Sequence, residues 1–296
     1  MTSEPHTNTP GTVLVQGPAV DLDNVTVVRI EPSRKWVTPK LGELWEYREL
    51  LYFFVWRDIK VRYKQTAIGA GWAVFQPLIT MIIFAVVFRT FANVPSDGLP
   101  YSVFSYAGLL SWTLFASALT RSITSLVGQS HLISKVYFPR LIVPIAATIS
   151  GIVDFAIAFL ILVGMMIWYG IVPAWPLLSL PFFIAMTLAA ALAIGLWLSA
   201  LNVKYRDVAY STPLLISLWM FLSPIAYPIS QVPDHWRSLY NLNPMTGVVT
   251  GFRWALLGSD VPDPVSLAMS TVVIIAVFIG GIFYFKRMEQ TFADIV

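Results

Sequence analysis

RDIKVRYKQTAIGAGWAVFQP, residues 57–77, sets four basic residues (Arg57, Lys60, Arg62, Lys64) at the head of a run that meets no further charge until Arg89. The uncharged run covers the roughly 20 residues a helix needs to cross a bilayer. Lys and Arg gather on the cytoplasmic side of a span, so the stretch gives an orientation along with a crossing: the chain enters the membrane from inside.

The rest of the chain has the same character. Of its 296 residues 57% are hydrophobic and 12% charged, and the mean hydropathy is +0.71. Soluble domains carry about 25% charged residues, so most of this chain is built to avoid water. A net charge of +3, with the basic residues set beside spans, excludes a nucleic-acid partner. The absence of cysteine excludes disulfides, thiolate metal sites and a cysteine nucleophile. His6, His131 and His235 lie too far apart to suggest a metal site. Residues 1–35 lack the apolar core of a cleavable signal, so the first span is expected to serve as an uncleaved insertion signal.

Charge divides the chain into an all-α integral membrane protein with six expected spans. A Thr-, Pro- and Gly-rich start reads as a flexible cytoplasmic tail over 1–30, in which VTVVRI (25–30) has the composition of one short strand. Residues 31–296 form the membrane domain. Residues 43–64 read as an amphipathic interface helix, with Glu43, Glu46 and Glu49 at its start, Arg57, Lys60, Arg62 and Lys64 at its end, and LLYFFVW between. An ordinary docking helix is the alternative. Spans follow near 70–91, 101–127, 141–169, 177–202, 208–227 and 265–285, the third and fourth separated by Pro173–Ala174–Trp175–Pro176. The basic sets Lys135/Arg140, Lys204/Arg206 and Lys286/Arg287 fall on the same side as the first, which places both termini in the cytoplasm. Residues 224–262 are too polar to span and too apolar for a plain loop. PMTGVVTGFRWALLG within them reads as a short re-entrant helix that lines or closes the outer end of a path, or as a cap on the span ends.

Little here can make or break bonds. No GxxxxGK[ST], HExxH or GxSxG occurs, and the acids are isolated from one another. A conduit fits better than a catalyst. Asp154, inside the third span, must face protein or water; it lines a pathway or anchors Arg121 of the second span. GQSHLISKVYFPR (128–140) carries apolar residues where a linker is polar. His131, Leu132, Ile133, Lys135, Tyr137, Phe138 and Arg140 therefore form either a docking surface or a patch buried on the chain's own interface helix, with two helical turns stopped by Pro139. Aromatic residues make up 14% of the chain. Most would face lipid; Trp112, Phe115, Tyr227, Trp236, Tyr240, Phe252 and Trp254 are the channel or gate candidates, able to stack on sugar rings.

The strings LWEYRELLYFFVWRDIKVRYKQTAIGAGWAVFQPL (44–78), LISKVYFPRLIVP (132–144), NVKYRDV (202–208), SPIAYP (223–228), LNPMTGVV (242–249) and FKRMEQTFADIV (285–296) occur in the order found in a known family. The chain resembles the membrane subunits of type 2 ABC exporters, in the branch that exports lipid-linked polysaccharide such as O-antigen, capsule-like glycans or teichoic acid. The resemblance covers nearly everything after residue 30. It implies that 43–64 is the interface helix, with Asp58 and Tyr63 among its residues, and that Gln65, Thr66, Ile68 and Gly69 form the loop into the first span, Ile68 replacing the family's Leu. It implies that 129–139 is the coupling helix seated in an ATPase, and that 228–258 is the external gate. Two copies of the chain would pair over two ATPase subunits, which hold the ATP and magnesium; this chain needs no cofactor. The expected cargo is an undecaprenyl-linked glycan crossing a bacterial inner membrane. A type 2 exporter of a small lipid or drug would share the fold, and a membrane enzyme of glycan assembly is the remaining alternative.

Overall fold

The computed structural model describes residues 41–64 and 69–295. The tail 1–30, the VTVVRI strand and the loop residues Gln65, Thr66 and Ile68 lie outside the described residues. Within them the chain is helical, without a strand. It runs through α1 (Leu41–Glu46), α2 (Arg48–Lys64), α3 (Gly69–Phe84), α4 (Tyr101–Gly128), α5 (Ser130–Lys135), α6 (Ile142–Ile149) and α7 (Ile152–Trp168). There follow α8 (Leu180–Lys204), α9 (Asp207–Phe221), α10 (Asp234–Leu242), α11 (Pro244–Leu257) and α12 (Pro264–Ile295).

Five helical stretches among the described residues are long and apolar enough to cross a membrane: Gly71–Phe91, Tyr101–Gly128, Ile142–Trp168, Trp175–Lys204 and Pro264–Glu289. The expected fifth crossing, 208–227, is helical only over α9. Its 15 residues rise about 22 Å at 1.5 Å per residue, short of a hydrocarbon core of about 30 Å.

α4 is the axis of the fold. Its apolar window is 78% buried, against 11% for the stretch containing α3. α8, α6, α11, α3 and α7 all pack on it. Ser105, Ser111 and Ser125 of α4 are buried, and each donates to the carbonyl three residues earlier. That satisfies the hydroxyls within the helix and keeps the side chains short, so neighbours approach closely. Gly195 of α8 is one such neighbour: a Cβ there would stand 2.3 Å from Ser122 Oγ. On the other side of α8, Trp197 fits over the Gly280–Gly281 pair of α12. It stacks on Tyr284 at 4.8 Å and donates to the Val277 carbonyl at 3.0 Å.

Several expected elements differ in detail. The interface helix is two helices: α1 ends at Glu46 and α2 begins at Arg48, although Tyr47 N–H still reaches the Glu43 carbonyl at 3.1 Å. α2 buries Phe54, while Trp45, Tyr52, Phe53 and Trp56 stay exposed along the opposite face. The third span is broken at Ser150–Gly151, between α6 and α7. The first span widens into a π-helical turn over Ala85–Phe91, closed by Ala92 N–H on the Val87 carbonyl at 3.0 Å. α5 stops at Lys135, with Val136 extended, instead of running to Phe138. Of the aromatics near the expected span ends, where an aromatic belt would sit, Tyr101 is buried and donates to the Ala226 carbonyl at 2.7 Å, whereas Trp72, Trp168 and Trp175 are exposed.

α11 is a core helix. Asn243 caps its start by accepting from Met245 N–H at 3.0 Å, Pro244 occupies the first turn, and Gly258 ends it at φ +63°. All but two of its residues are buried, whereas α10 buries none.

Candidate functional site

Three charged residues of the membrane domain, from three different helices, meet at one place. Asp154 stands in the first turn of α7. Its Oδ2 accepts from Arg62 Nη1 of α2 at 2.5 Å and from Arg121 Nη1 of α4 at 2.9 Å. Its Oδ1 accepts from the Tyr63 hydroxyl. Arg121 Nη2 also donates to Ser117 Oγ at 2.9 Å, while its buried Nε–H has no partner among the described residues. Burial, and then the bond to Asp154, pushes the Tyr63 hydroxyl up to about 12. The break in the third span makes the arrangement possible: a Cβ at Gly151 would lie 2.2 Å from Arg121 Nη2, the space the guanidinium occupies.

Two cavities meet at this cluster. A groove of about 660 Å³ runs between α3, α4, α7 and α9. Its walls mix apolar residues (Trp72, Leu109, Trp112, Phe155, Ile216, Met220) with Gln76, Thr80, Thr113, Ser117, Thr120 and Ser217. Thr80, Thr113, Thr120 and Ser217 each donate to a carbonyl of their own helix, which leaves their oxygens able to accept. A second cleft of about 490 Å³ lies between α2, α4 and α5, with Arg57, Asp58, Thr124, Gln129 and His131 in its wall. Arg62 and Arg121 belong to both. Arg57 is held by Asp58 at 2.7 Å and lies over the Phe54 ring at 4.8 Å. Lys60 and Lys64 are exposed, and Gly69 opens α3.

The 129–139 segment divides between the two expectations for it. Ile133 and Phe138 are buried, Phe138 edge-on to Phe54 of α2 at 5.7 Å, so these two are internal packing residues and leave the docking set. His131, Leu132, Lys135 and Tyr137 are exposed, Tyr137 at 90%. Arg140 also leaves the docking set. It is half-buried, its N–H reaches Glu289 Oε1 of α12 at 3.1 Å, and its guanidinium bonds the Glu289 carbonyl. Lys286 completes that contact at 2.7 Å from Glu289 Oε2.

The aromatic candidates also divide. Phe115 and Phe252 are fully buried and have no face to offer a substrate: Phe115 packs on Trp112 and Trp219, and Phe252 on Phe155 and Phe183. Trp112, 3% exposed, shows only an edge to the groove. Trp254 packs against Trp175 at 5.5 Å. Tyr227, Trp236 and Tyr240 come together with Phe88 and Gln231 around a pocket of about 440 Å³, the two tyrosine hydroxyls 2.6 Å apart.

Two residues that organise this region carried no role in the sequence reading. Asn243 accepts from Trp219 Nε1 at 3.0 Å and donates to the Leu222 carbonyl and Ser223 Oγ. Asn ahead of Pro is a helix-start signal that would have found it. Arg253, which the alternation of basic sets along the chain puts on the outer side with Arg237, is 3% exposed. It donates to the carbonyls of Phe104 (3.3 Å), Pro224 (2.6 Å) and Ile225 (2.6 Å), with its guanidinium 3.5 Å over the Phe104 ring.

No group of three His, Asp or Glu residues converges as a metal site among the described residues. The cluster at Asp154 pairs one acid with two bases and a phenol, an arrangement that binds and orients. The class is a multi-helix protein with five stretches long and apolar enough to cross a membrane among the described residues. Residues 49–257, well over half of the chain, match the ABC-2 type transporter family, and the chain belongs to it. It is similar to the O-antigen export system permease protein RfbA of Myxococcus xanthus, 27% identical over 251 residues, covering 84% of this chain and 96% of the relative. The RfbA permease of Klebsiella pneumoniae is 26% identical over 84% of this chain and 95% of its own length. The polysialic acid transport protein KpsM of Escherichia coli is 24% identical over 79% and 91%.

Proposed function

We propose that this chain is the membrane half of an ATP-driven exporter that moves an undecaprenyl-linked polysaccharide of O-antigen type across the bacterial inner membrane. The observation that carries the reading is coextension: the chain aligns along 96% of one O-antigen permease and 95% of another. The groove supports it, because hydroxyl oxygens and aromatic edges suit a polymer of sugar hydroxyls that must be held and released without strict recognition.

Two copies of the chain pair around the path, above two copies of a separate ATPase that holds ATP and magnesium. Residues 31–296 make one transporter domain behind the 1–30 tail. α9, continued by Leu222–Tyr227, supplies a sixth crossing, and both termini lie in the cytoplasm with the basic sets. α1 and α2 lie at the membrane surface, their exposed aromatic face toward the headgroups. His131, Leu132, Lys135, Val136 and Tyr137 present the docking surface to the ATPase. α10 and α11 close the outer end, with Tyr227, Trp236 and Tyr240 at the exit.

Cells lacking this chain test the reading. Undecaprenyl-linked glycan is quantified in the lipid extract beside glycan on the surface. Full-length polymer trapped inside, with a bare surface, is the expected result. Normal surface glycan would move the cargo to a small lipid or drug, and loss of polymer altogether would make the chain part of synthesis.

A further inference from the structure

We propose that Arg62 and Arg121 form a binding site for the phosphate or diphosphate headgroup of a lipid whose chain lies in the adjoining groove, and that Asp154 is the internal competitor the anion displaces. The inference rests on the export reading and names where the carrier lipid's head is held.

Four observations converge on it. First, both arginines line both cavities, so they stand where the groove opens into the cleft beneath α2. Leu109, Trp112, Phe155, Ile216 and Met220 give the groove apolar wall for a hydrocarbon chain, and the arginines give one end of it a charge. Second, two guanidiniums share one oxygen of a single carboxylate, at 2.5 and 2.9 Å. The neighbouring Arg57 and Asp58 neutralise each other at 2.7 Å. A phosphate monoester carries about −1.5 to −2 at pH 7, enough to match both arginines where Asp154 matches one. Third, Arg121 Nε–H is buried without a partner among the described residues. The planar fork of arginine suits two parallel bonds to a phosphate, and that free donor is part of the fork. Fourth, Gly151 keeps clear the volume in which the Arg121 guanidinium sits, since any Cβ there would lie 2.2 Å from Nη2.

The arrangement differs from a plain structural ion pair in the sign of one substitution. Removing the competitor strengthens anion binding; removing the anchor of an ordinary ion pair lets the arginines drift and weakens it. The test is equilibrium binding of radiolabelled farnesyl diphosphate to the full-length chain in dodecyl maltoside, a detergent free of phosphate. Saturable binding is expected, weakened about tenfold or more by Arg62→Gln, the loss of one charge-assisted pair. Asp154→Asn is expected to tighten it severalfold. Unlabelled farnesol should fail to compete, and inorganic pyrophosphate should compete weakly.

Unchanged or weaker binding in Asp154→Asn overturns the proposal. So does farnesol competing as well as the diphosphate, which would make the groove merely apolar, or pyrophosphate competing equally, which would make this a site for a free anion. Should Asp154→Asn fail gel filtration, Asp154→Ser is used instead: it removes the carboxylate, keeps both arginines, and must also tighten binding. Trapped polymer in cells lacking the chain, together with no farnesyl diphosphate binding, would keep the export reading and remove this site. Binding together with normal surface glycan would keep the site and remove the polymer.

Discussion

Replacing Arg253 separates the value of its charge from the value of its shape. The guanidinium is 3% exposed and touches no carboxylate; it is held by three carbonyls and one aromatic face. Two of those carbonyls, of Pro224 and Ile225, belong to the irregular turn after α9, where no helix supplies a donor. In Arg253→Met the protein recovers the desolvation of a buried charge, several kcal/mol. Against that it loses two short charge-assisted bonds at about 1.5–3 kcal/mol each and leaves both oxygens orphaned at about 1–3 kcal/mol each. The contact with Phe104 adds roughly 2 kcal/mol more. The net is a loss on the order of 3 kcal/mol. For a chain of this size that corresponds to a fall in Tm of roughly 6–12 °C. Arg253→Lys retains the charge, but one ammonium on a shorter stem cannot reach three diverging carbonyls, so its buried charge is worse satisfied. Thermal unfolding of the purified protein, followed by tryptophan fluorescence, should rank wild type above Met and Met above Lys. A lysine variant that melts with the wild type would refute the reasoning, because the charge alone would then suffice.

Gly251→Ala puts a Cβ 2.0 Å from the Phe183 ring; overpacking of that kind costs about 1–3 kcal/mol, read in the same melt. On the α2–α5 side, Phe138→Ala should lower stability by about 3–5 kcal/mol, whereas Tyr137→Ala should leave the melt unchanged and weaken co-purification of the ATPase; unaltered co-purification would remove Tyr137 from the docking surface. Glu289→Ala takes the acceptor from Lys286 and from the Arg140 N–H, while the Arg140 guanidinium keeps the Glu289 carbonyl, and is expected to lower export per ATP hydrolysed in reconstituted vesicles while the complex still assembles; unchanged coupling would make the contact a fastening only. The Tyr63 hydroxyl, pushed up to about 12 from 10.0, binds its proton more tightly in the folded chain, so its contribution is whole below pH 10 and disappears as pH rises through about 12. Wild type should therefore lose more stability than Tyr63→Phe across that window, and parallel curves would contradict the bond.

Charge made much of the fold readable. The gaps between Lys64 and Arg89, between Asp97 and Arg121, and between Arg140 and Lys204 with only Asp154 inside, mark where helices avoid water. Pro173–Pro176 and Asn243–Pro244 mark where helices stop and start, because proline fixes φ and removes a donor wherever it falls. Depth was not readable. Arg253 scores as an external charge in a count along the chain, and only packing reveals that three carbonyls surround it. Phe115 and Tyr227 are equally aromatic, yet one is inside and the other borders a pocket, since ring exposure is decided by the neighbours and not by the ring. The break at Gly151 was invisible because an apolar run with one glycine still reads as a span; the space beside it is filled by a guanidinium from another helix. Arg140 misled for the same reason: its partner lies 149 residues away.

The helix that connects those distant places is α12. Its 32 residues extend about 48 Å at 1.5 Å per residue, longer than a bilayer core. At one end Glu289 holds Arg140, next to the exposed residues of α5; toward the other, α12 packs on α10 and α11. Gly247 of α11 donates to Ser270 Oγ of α12 at 3.2 Å, so the contact at that end is also bonded and close. A continuous helix bends but does not shorten, and its backbone hydrogen bonds resist a local break. A displacement applied at α5 thus reaches α11 with little loss if Arg140 stays on Glu289, and is absorbed in the loop if it does not. α3, by contrast, is the least buried of the long helices, and its interactions with its own chain set the weakest limit on movement. The fold therefore pairs a helix bonded near both of its ends with a loosely held wall on the groove.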